Sequence, residues 1–266
     1  MNLKALENTY FENIKHTNRM FSKHFHDTYT IGITHDGLFK STNLNKTVLS
    51  YKHSTRIINP NELHGGSSNA WNYTNFYPSV ELFSQIYEDM FGLKHVPLFE
   101  KHIVDDAVLY NLLLRLFRSV YAQEVQMKIE ILLINAVSYL IKNYTHATKE
   151  YTGFFDAPII MNGSIEYIND MLDSTITLDD LAHNAQLSKY HFLRVFKKHM
   201  GITPHNYILN QRIYKATKSI IEGDRAIDAS INSGFSDQSH FNRNFKKVYG
   251  YSPKTLFNKS NIILYK

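Results

Sequence analysis

The chain has 266 residues, of which 43% are hydrophobic and 14% aromatic, so it can form one large domain or two ordinary ones with real cores. Charged residues make up 20% of the chain, and even its longest apolar runs, such as residues 131–134, have only four residues, so the sequence excludes a disordered tract and a membrane span. The absence of cysteine excludes disulfides and thiolate metal sites, and no signal peptide is recognisable, so we expect a cytoplasmic protein.

The net charge of +5 is unevenly distributed along the chain. Residues 1–158 contain 15 basic and 15 acidic side chains, whereas residues 159–266 contain 14 basic and 9 acidic ones. The whole excess therefore lies in the second half. A positive charge confined to one half fits a polyanionic partner for that half, with nucleic acid first, and equally fits a basic surface without a binding role.

The first half contains short segments typical of strands. Residues 29–34, 47–51 and 55–58 are rich in β-branched and aromatic side chains, and turn residues such as those at 35–37 separate them. This spacing predicts a small β-barrel or sandwich. Together with the histidine-containing segments 24–27 and 60–64, the pattern resembles a cupin barrel over roughly residues 20–80.

Histidines in this region predict a ligand site. If His24 and His26 lie on one strand face near His64, three imidazoles face one point and could bind iron, manganese or zinc. Metal-binding cupins add a glutamate four or five positions after the second histidine, where this sequence has Thr30 and Ile31. We therefore expect no metal and no other cofactor, but a small-molecule pocket, with hydrogen-bonded structural histidines as the alternative. The expected pocket residues are His24, His26, Tyr29, Glu62, His64 and Trp71.

Three amphipathic segments follow the strands. Their patterns predict helices over residues 79–90, from 105 to about 120, and over 124–144. In the third, the apolar positions are predicted to be Met127, Ile131, Ile134, Tyr139, Leu140 and Ile141. These helices either pack on their own barrel or pair two subunits in a homodimer. Residues 146–158 show little periodicity and are the expected linker.

The second half contains a duplicated module. The segment His191-Phe-Leu-Arg-Val-Phe-Lys-Lys recurs 49 residues later as His240-Phe-Asn-Arg-Asn-Phe-Lys-Lys, and eight positions are identical once the following glycine and proline are included. Each copy has the pattern of a helix-turn-helix, at about residues 178–200 and 226–249, joined by a helix from Pro204 to about Ile221.

Capping residues support these boundaries. Ser188 in the first copy, and Ser236 or Asp237 in the second, can begin the second helix of each module. Gly201 and Gly250 can end those helices.

The helical period gives these two helices opposite faces. Phe192 with Phe196, and Phe241 with Phe245, are spaced i,i+4 and must face the core. The outer faces are basic and repeat in register, which favours DNA binding over a merely solvated face, because arginine can contact guanine and lysine can contact phosphate. The expected DNA contacts are Tyr190, Leu193, Arg194, Lys197 and Lys198 in the first module and Ser239, His240, Asn242, Arg243, Lys246 and Lys247 in the second.

Residues 159–257 resemble the AraC/XylS family of transcription regulators. The most specific part is Gly234-Phe-Ser-Asp-Gln-Ser-His-Phe-Asn-Arg-Asn-Phe-Lys, followed by Gly250-Tyr-Ser-Pro, and the sequence departs at Ser230, where the family usually has alanine. The resemblance implies that two recognition helices enter successive major grooves. It also implies that the amino-terminal barrel binds a small molecule and that the helices after it pair two subunits.

The sequence therefore predicts an α+β protein of two domains. Residues 1–145 form a cupin-like β-barrel with following helices, residues 146–158 a linker, and residues 159–266 an all-α tandem helix-turn-helix domain. The expected function is a sequence-specific transcription regulator, an activator by the tendency of the family, controlled by a small-molecule effector. Its expected partners are double-stranded DNA and RNA polymerase, and no membrane.

Two alternatives stay open. One is a cupin-type metal-dependent enzyme fused to a DNA-binding domain, and the other is a ligand-independent DNA-binding protein whose barrel only dimerises. We expect no catalytic residues, because no Ser/His/Asp order, phosphate loop or paired carboxylates stand out.

Overall fold

A computed structural model of the chain describes residues 9–15, 18–43, 46–145, 159–257 and 262–264. These residues form two compact units. The sheet unit contains most of the first half and the end of the chain, and the helical unit contains residues 159–257 together with Phe21–Phe25. The predicted α+β class, with a sheet-rich first domain and an all-helical second one, is confirmed. The expected linker at 146–158 lies outside the described residues.

The sheet unit is built on one sheet of eight strands in the described part of the chain, ordered β7-β5-β3-β6-β1-β8, with β4 paired to β3 and β2 to β6. Every pairing whose register is known is antiparallel. The strands are β1 (Tyr10–Lys15), β2 (Asn18–His24), β3 (Thr30–Asn43), β4 (Lys46–Tyr51), β5 (Thr55–Ile58), β6 (His64–Tyr77), β7 (Ile103–Val104) and β8 (Ile262–Leu264). The helices are α1 (Val80–Phe91), α2 (Ala107–Tyr121) and α3 (Gln126–Tyr144).

The long central strand β3 corrects one prediction. The turn expected at residues 35–37 is instead a bulge, since β3 runs through Gly37 and its register with β6 shifts on either side of Asp36. Gly37 has φ +75°, and a Cβ there would lie 2.1 Å from the carbonyl oxygen of Ala70. Only glycine fits this close approach of two strands.

The sheet has an apolar face and a polar face. On one face, Phe11, Ile31 and Ile57 are buried in a core that includes residues of α1, α2 and α3. On the other, the neighbouring positions Glu12 and Arg56 are equally buried although both are ionisable. Buried polar side chains cost free energy unless they have partners, so this second face is where a site is expected.

Helix α3 buries some of its apolar residues and exposes others. Met127 and Ile131 are 69% and 52% exposed, and the buried face is formed instead by residues such as Ile129, Leu133 and Val137. Met127 and Ile131 therefore do not pack on the sheet unit, and the pairing of two subunits through them stays a prediction. Apolar residues occur on several sides of this helix, so the pattern alone did not identify the side that packs.

The end of the chain also differs from its predicted place. Residues 159–266 were expected in the helical domain, but Ile262–Leu264 forms β8, which pairs with β1 in the sheet unit. Ile262 is 5% exposed. The helical unit therefore ends at Phe257.

The helical unit has the predicted tandem arrangement. Its helices are α4 (Ile159–Asp170), α5 (Leu178–Asn184), α6 (Lys189–Met200), α7 (Pro204–Glu222), α8 (Ala226–Asn232) and α9 (Gln238–Tyr249). Ser188 and Asp237 accept the expected capping hydrogen bonds from His191 N and His240 N. Gly201 and Gly250 end α6 and α9 with φ of 71° and 77°. The hydroxyl of Ser230, the departure from the family pattern, is buried and donates to the carbonyl of Ile227 at 2.8 Å.

Among the described residues, no helix combines the length and apolar character needed to cross a membrane.

Candidate nucleic-acid interface and ligand site

The outer faces of α6 and α9 form what we call the recognition surface. The phenylalanines predicted to face inward, such as Phe192 and Phe241, are fully buried, which turns the predicted contact residues outward. Tyr190 is 76% exposed and Leu193 36%. The exposed members are Tyr190, Leu193, Arg194, Lys197, Lys198, Ser239, Asn242, Arg243, Lys246 and Lys247.

The arginines and lysines of the recognition surface form no ion pair or hydrogen bond through their side chains with any described residue. Neighbouring cations behave differently. Lys189 Nζ lies 2.6 Å from Asp179 Oδ1, and Arg225 Nε lies 2.6 Å from Asp228 Oδ2. The cations of the recognition surface therefore remain available for an external polyanion.

His240 is an exception among the predicted DNA contacts. It is half-buried, and its ring packs edge-on against Phe235 with centroids 5.5 Å apart. Its backbone N–H donates to Asp237 Oδ1 at 2.7 Å and its carbonyl accepts from Asn244 Nδ2 at 2.9 Å. Less of this side chain is available to DNA than of the other ten.

The two helix-turn-helix modules are connected by more than helix α7. Arg212 of α7 donates from Nε to the carbonyl of Leu172 at 2.8 Å and from Nη2 to the carbonyl of Ser174 at 2.5 Å, just before the first module. Gly234, in the turn of the second module, has φ +86°, and a Cβ there would lie 2.5 Å from the same Leu172 oxygen. The turn of one module thus packs directly on the backbone that leads into the other.

In the sheet unit, four positions of neighbouring strands form a row across the polar face. Arg56 pairs in register with Gly32, Gly32 with Asn75, and Asn75 with Glu12. Arg56 is 6% exposed, Asn75 2% and Glu12 1%. We call these residues the polar row.

Glu12 is bound by two tyrosines. Tyr73 and Tyr77 each donate a hydroxyl hydrogen bond of 2.5 Å to it, one to each carboxylate oxygen. Burial, followed by the charge of Glu12, raises the pKa of Tyr77 well above its ordinary value, so the phenol remains a donor. Both oxygens of this carboxylate are therefore already engaged.

His26 and His64 come together near the polar row, with ring centroids 5.0 Å apart. His26 Nδ1 donates to the carbonyl of Thr28 at 2.8 Å, and its Nε2 lies 2.9 Å from the hydroxyl of Thr30. Burial lowers the pKa of His26 to about 4, so the ring is neutral at pH 7. His64 Nδ1 donates to the carbonyl of Glu62 at 2.8 Å.

Glu62 is also deeply placed. Its Oε2 accepts from both the backbone and side-chain nitrogens of Asn59 at 3.0 Å, and its Oε1 lies 3.0 Å from His102 Nε2. Burial raises the pKa of Glu62 to about 7, against the lowering effect of the Asn59 donors. This carboxyl group therefore titrates close to neutrality.

The structure brings together some of the predicted pocket residues and separates others. Trp71 is buried on the polar face, stacked between Phe39 and Tyr73 at 4.1 and 3.8 Å. Tyr29 packs instead in the apolar core against Phe83, with its hydroxyl bonded to the carbonyl of Pro97. This placement contradicts the prediction that Tyr29 lines the pocket.

His24 is assigned to a different unit from His26 and His64. It ends β2 and belongs to the helical unit, with its ring 6.3 Å from that of Tyr249. Across the described ranges, no three histidine, aspartate or glutamate side chains are grouped as a metal ion requires. Of the three predicted histidines, the sheet unit itself brings His26 and His64 together.

Sequence reasoning missed Arg56, Glu12 and the tyrosines of β6. A signal existed for Arg56, a charged residue within the otherwise uncharged strand Thr55–Ile58. The alternation of aromatic and polar residues from 71 to 77 likewise indicated a strand with one aromatic face.

Comparison with known proteins gives matches in both halves of the chain. A family model described as an AraC-like ligand binding domain matches residues 9–137. A second, described as a helix-turn-helix domain, matches residues 181–259. The two matches fall mainly on the sheet unit and the helical unit respectively.

Curated relatives agree with this assignment. The HTH-type transcriptional regulator YbfI of Bacillus subtilis is 28% identical over 229 residues, 83% of this chain and 81% of that protein. The probable transcription factor PqrA of Proteus vulgaris is 33% identical over 97 residues, 35% of this chain and 80% of that protein. Several other relatives match over only about a third of their length.

A solved structure of apo ToxT from Vibrio cholerae is similar in fold. Its TM-score is 0.64 at 14% sequence identity, and the likeness covers 94% of this chain and 98% of that one. At this identity the likeness concerns the fold alone.

Proposed function

Because this chain belongs to the AraC/XylS family of transcription regulators, with an AraC-like ligand-binding domain and a helix-turn-helix DNA-binding domain, we propose that it binds specific promoters in response to a small molecule. The observation that carries the proposal is the recurrence, on two successive recognition helices, of exposed cations that form no ion pair with any described residue. Since the DNA partner is the chromosome, the proposed place of action is the cytoplasm.

The proposed contacts follow from side-chain chemistry. Arg194 and Arg243 each offer a planar fork of donors that fits the O6 and N7 acceptors of guanine in the major groove. Lys197 and Lys246, one turn further along each helix, are point charges suited to phosphate. Leu193 offers an apolar contact suited to a thymine methyl group.

The proposed effector site is the polar face of the sheet unit, close to Trp71, His26 and His64. Its buried side chains include donors and acceptors in an aromatic surround, as small-molecule sites commonly do. ToxT, which shares the fold, has been crystallised with an unsaturated fatty acid bound. The effector would alter promoter occupancy or the contact with RNA polymerase, and activation is the proposed direction.

A homodimer is a further part of the proposal. Val125 and Met127 at the start of α3 are 76% and 69% exposed, and Ile131 on the same helix is 52% exposed. Such apolar exposure is typical of a surface that another protein covers. It also keeps open the alternative in which the sheet unit only dimerises.

The experiment that tests the proposal is sequencing of the genomic DNA bound by the full chain. Three proteins are compared. They are wild type, a double variant that carries both Arg194→Ala and Arg243→Ala, and a control, Arg115→Ala, which removes an exposed arginine of the sheet unit. Wild type and Arg115→Ala should enrich the same promoters, and the double variant should lose them. Equal enrichment by the double variant would contradict DNA recognition by these helices.

The same measurement in cells grown on different nutrients tests effector control. Promoter occupancy that changes with the growth medium supports a small-molecule signal. Occupancy that is constant across all media favours the ligand-independent alternative.

A further inference from the structure

Helices α6 and α9 are built on the same frame, but their outer faces differ in chemistry at one pair of equivalent positions, Leu193 and Asn242. We propose that the two modules recognise two versions of one half-site, with a thymine in the first where the second has an adenine, and that Leu193 and Asn242 determine this difference. The inference rests on the proposed function, because it names the DNA sequence that the recognition surface distinguishes.

The two helices follow the sequence repeat from cap to cap. Each has 12 residues, and every position of α6 corresponds to the position 49 residues later in α9. Ser188 and Asp237 begin the helices with a side-chain cap, and Gly201 and Gly250 end them in the left-handed conformation. The two helices therefore begin and end at equivalent residues.

The buried sides give both helices the same rotation about their axes. Phe192 and Phe196 in α6 are fully buried, and so are Phe241 and Phe245 in α9. The ring centroids within each pair are 5.5 Å apart. Because equivalent phenylalanines pack inward in the same way, equivalent positions on the outer sides occupy the same place on each helix.

Most outer positions carry the same chemistry in the two helices. Tyr190 corresponds to Ser239, and both side chains have a hydroxyl group that can donate and accept. The cations are identical, since Arg194, Lys197 and Lys198 correspond to Arg243, Lys246 and Lys247. These residues therefore predict shared features of the two half-sites.

Leu193 and Asn242 differ in kind. Leu193 is 36% exposed and has no hydrogen-bonding group in its side chain. Asn242 is exposed, and its amide forms no hydrogen bond with any described residue. The amide of Asn244, in contrast, is buried and donates to the carbonyl of His240 at 2.9 Å. The donor and the acceptor of Asn242 are thus both available to DNA, whereas Leu193 offers an apolar surface alone.

The two side chains match different bases in the major groove. An asparagine amide can donate to N7 of adenine and accept from its N6, while a leucine side chain suits the methyl group of thymine. Arg194 and Arg243, the next residues along the two helices, offer the same fork of donors to guanine. The half-sites should therefore share a guanine and differ by thymine and adenine at one other base pair.

Selection of binding sites from a library of random duplexes tests this inference with the full chain. Wild type should enrich two half-sites that share a guanine and have thymine in one where the other has adenine. Two identical half-sites, or half-sites that differ only at other base pairs, would overturn the inference. If wild type enriches no sequence at all, the proposed function itself fails.

Exchange variants assign each half-site to its module. Asn242→Leu should change the selected adenine to thymine in one half-site, and Leu193→Asn should change the selected thymine to adenine in the other. Each single variant should bind the wild-type site about tenfold more weakly and recover affinity on the duplex with its matching base. The double variant should select both changes together. Unchanged base preferences in the single variants would contradict the inference.

Asn143→Leu is the matched control. It makes the same substitution at an exposed asparagine of α3 in the sheet unit, so the selected sequence should not change. All variants should keep the melting temperature of wild type, because the substituted positions are exposed. Equal weakening of Asn242→Leu on every duplex would also overturn the inference, since a base contact distinguishes sequences. Selection by wild type without an exchange of bases in the variants overturns this inference and leaves the proposed function intact.

Discussion

The arginines of the two units lie in opposite surroundings. Arg194 and Arg243 are exposed on the recognition surface, whereas Arg56 is 6% exposed on the polar face of the sheet. Water solvates the first two, and their attraction for a polyanion extends over about 10 Å at 0.1 M salt. The third is desolvated, and the charges of Glu12 and Glu62 act on it within the fold. The same residue type thus suits long-range recognition in one unit and is enclosed near carboxylates of the chain in the other.

The largest effect is expected from a substitution that disrupts the packing between the two helix-turn-helix modules. Gly234→Ala places a side chain at φ +86° and 2.5 Å from the Leu172 carbonyl oxygen. We expect a loss of about 2 to 4 kcal/mol in the free energy of unfolding, because strain and steric overlap add. Urea denaturation of the full chain measures it.

Gly92→Ala is the matched control in the sheet unit. Gly92 also has a positive φ of +71°, but no atom lies within 4 Å of the added Cβ. It should cost only about 1 kcal/mol. Equal losses at the two glycines would show that the contact with Leu172 contributes nothing.

The next largest effect is a pH-dependent change in the free energy of unfolding, caused by Glu62 in the sheet unit. The pKa of Glu62 is raised from 4.5 to about 7, so its burial favours the protonated form. The contribution of protonated Glu62 to the free energy of unfolding is complete below pH 4.5 and is lost as the pH rises through 7. Glu62→Gln should therefore raise the free energy of unfolding by about 2 to 3 kcal/mol at pH 8 and leave it nearly unchanged at pH 4.5. Denaturation at both pH values tests this, and an equal gain at both would contradict the shifted pKa.

Arg243→Ala sharpens the contrast between base and phosphate contacts. We expect a loss of about 1 to 3 kcal/mol in binding to a promoter found by genomic sequencing and little loss on random DNA. Fluorescence anisotropy with both duplexes measures the difference. Equal losses on the two would mean that Arg243 does not contact a base.

The smallest expected effect concerns Lys197, the proposed phosphate contact. Lys197→Ala should weaken binding to all DNA similarly and reduce the slope of log affinity against log salt by about 1. Lys189→Ala is the control on the same helix, since Lys189 is already paired with Asp179. If the salt slope is the same for wild type and Lys197→Ala, this lysine makes no phosphate contact.

The helical unit was predictable because its signals are local. The capping residues Ser188 and Asp237 and the i,i+4 phenylalanines lie within a few residues of the structure that they determine. The tandem repeat shows the same pattern of capping residues and phenylalanines twice, once in each helix-turn-helix module.

The sheet unit was less predictable because its determinants are distant in sequence. Arg56 meets Gly32 and Asn75 only through strand register, which the chain fixes by pairing β5, β3 and β6. For the same reason the sequence revealed neither the bulge at Gly37 nor the polar row. The sequence could not decide whether Met127 and Ile131 pack on the sheet unit, because an apolar residue on a helix does not identify its neighbour.

The strand β8 has a consequence for synthesis of the protein. It is formed by Ile262–Leu264 and covers the edge of β1, which is formed by Tyr10–Lys15. During translation, β1 is synthesised long before β8, so the outer edge of β1 stays unpaired until β8 has been made. Until then that edge is open to pairing with other chains, so a nascent or truncated form lacking β8 should be the one most prone to aggregate.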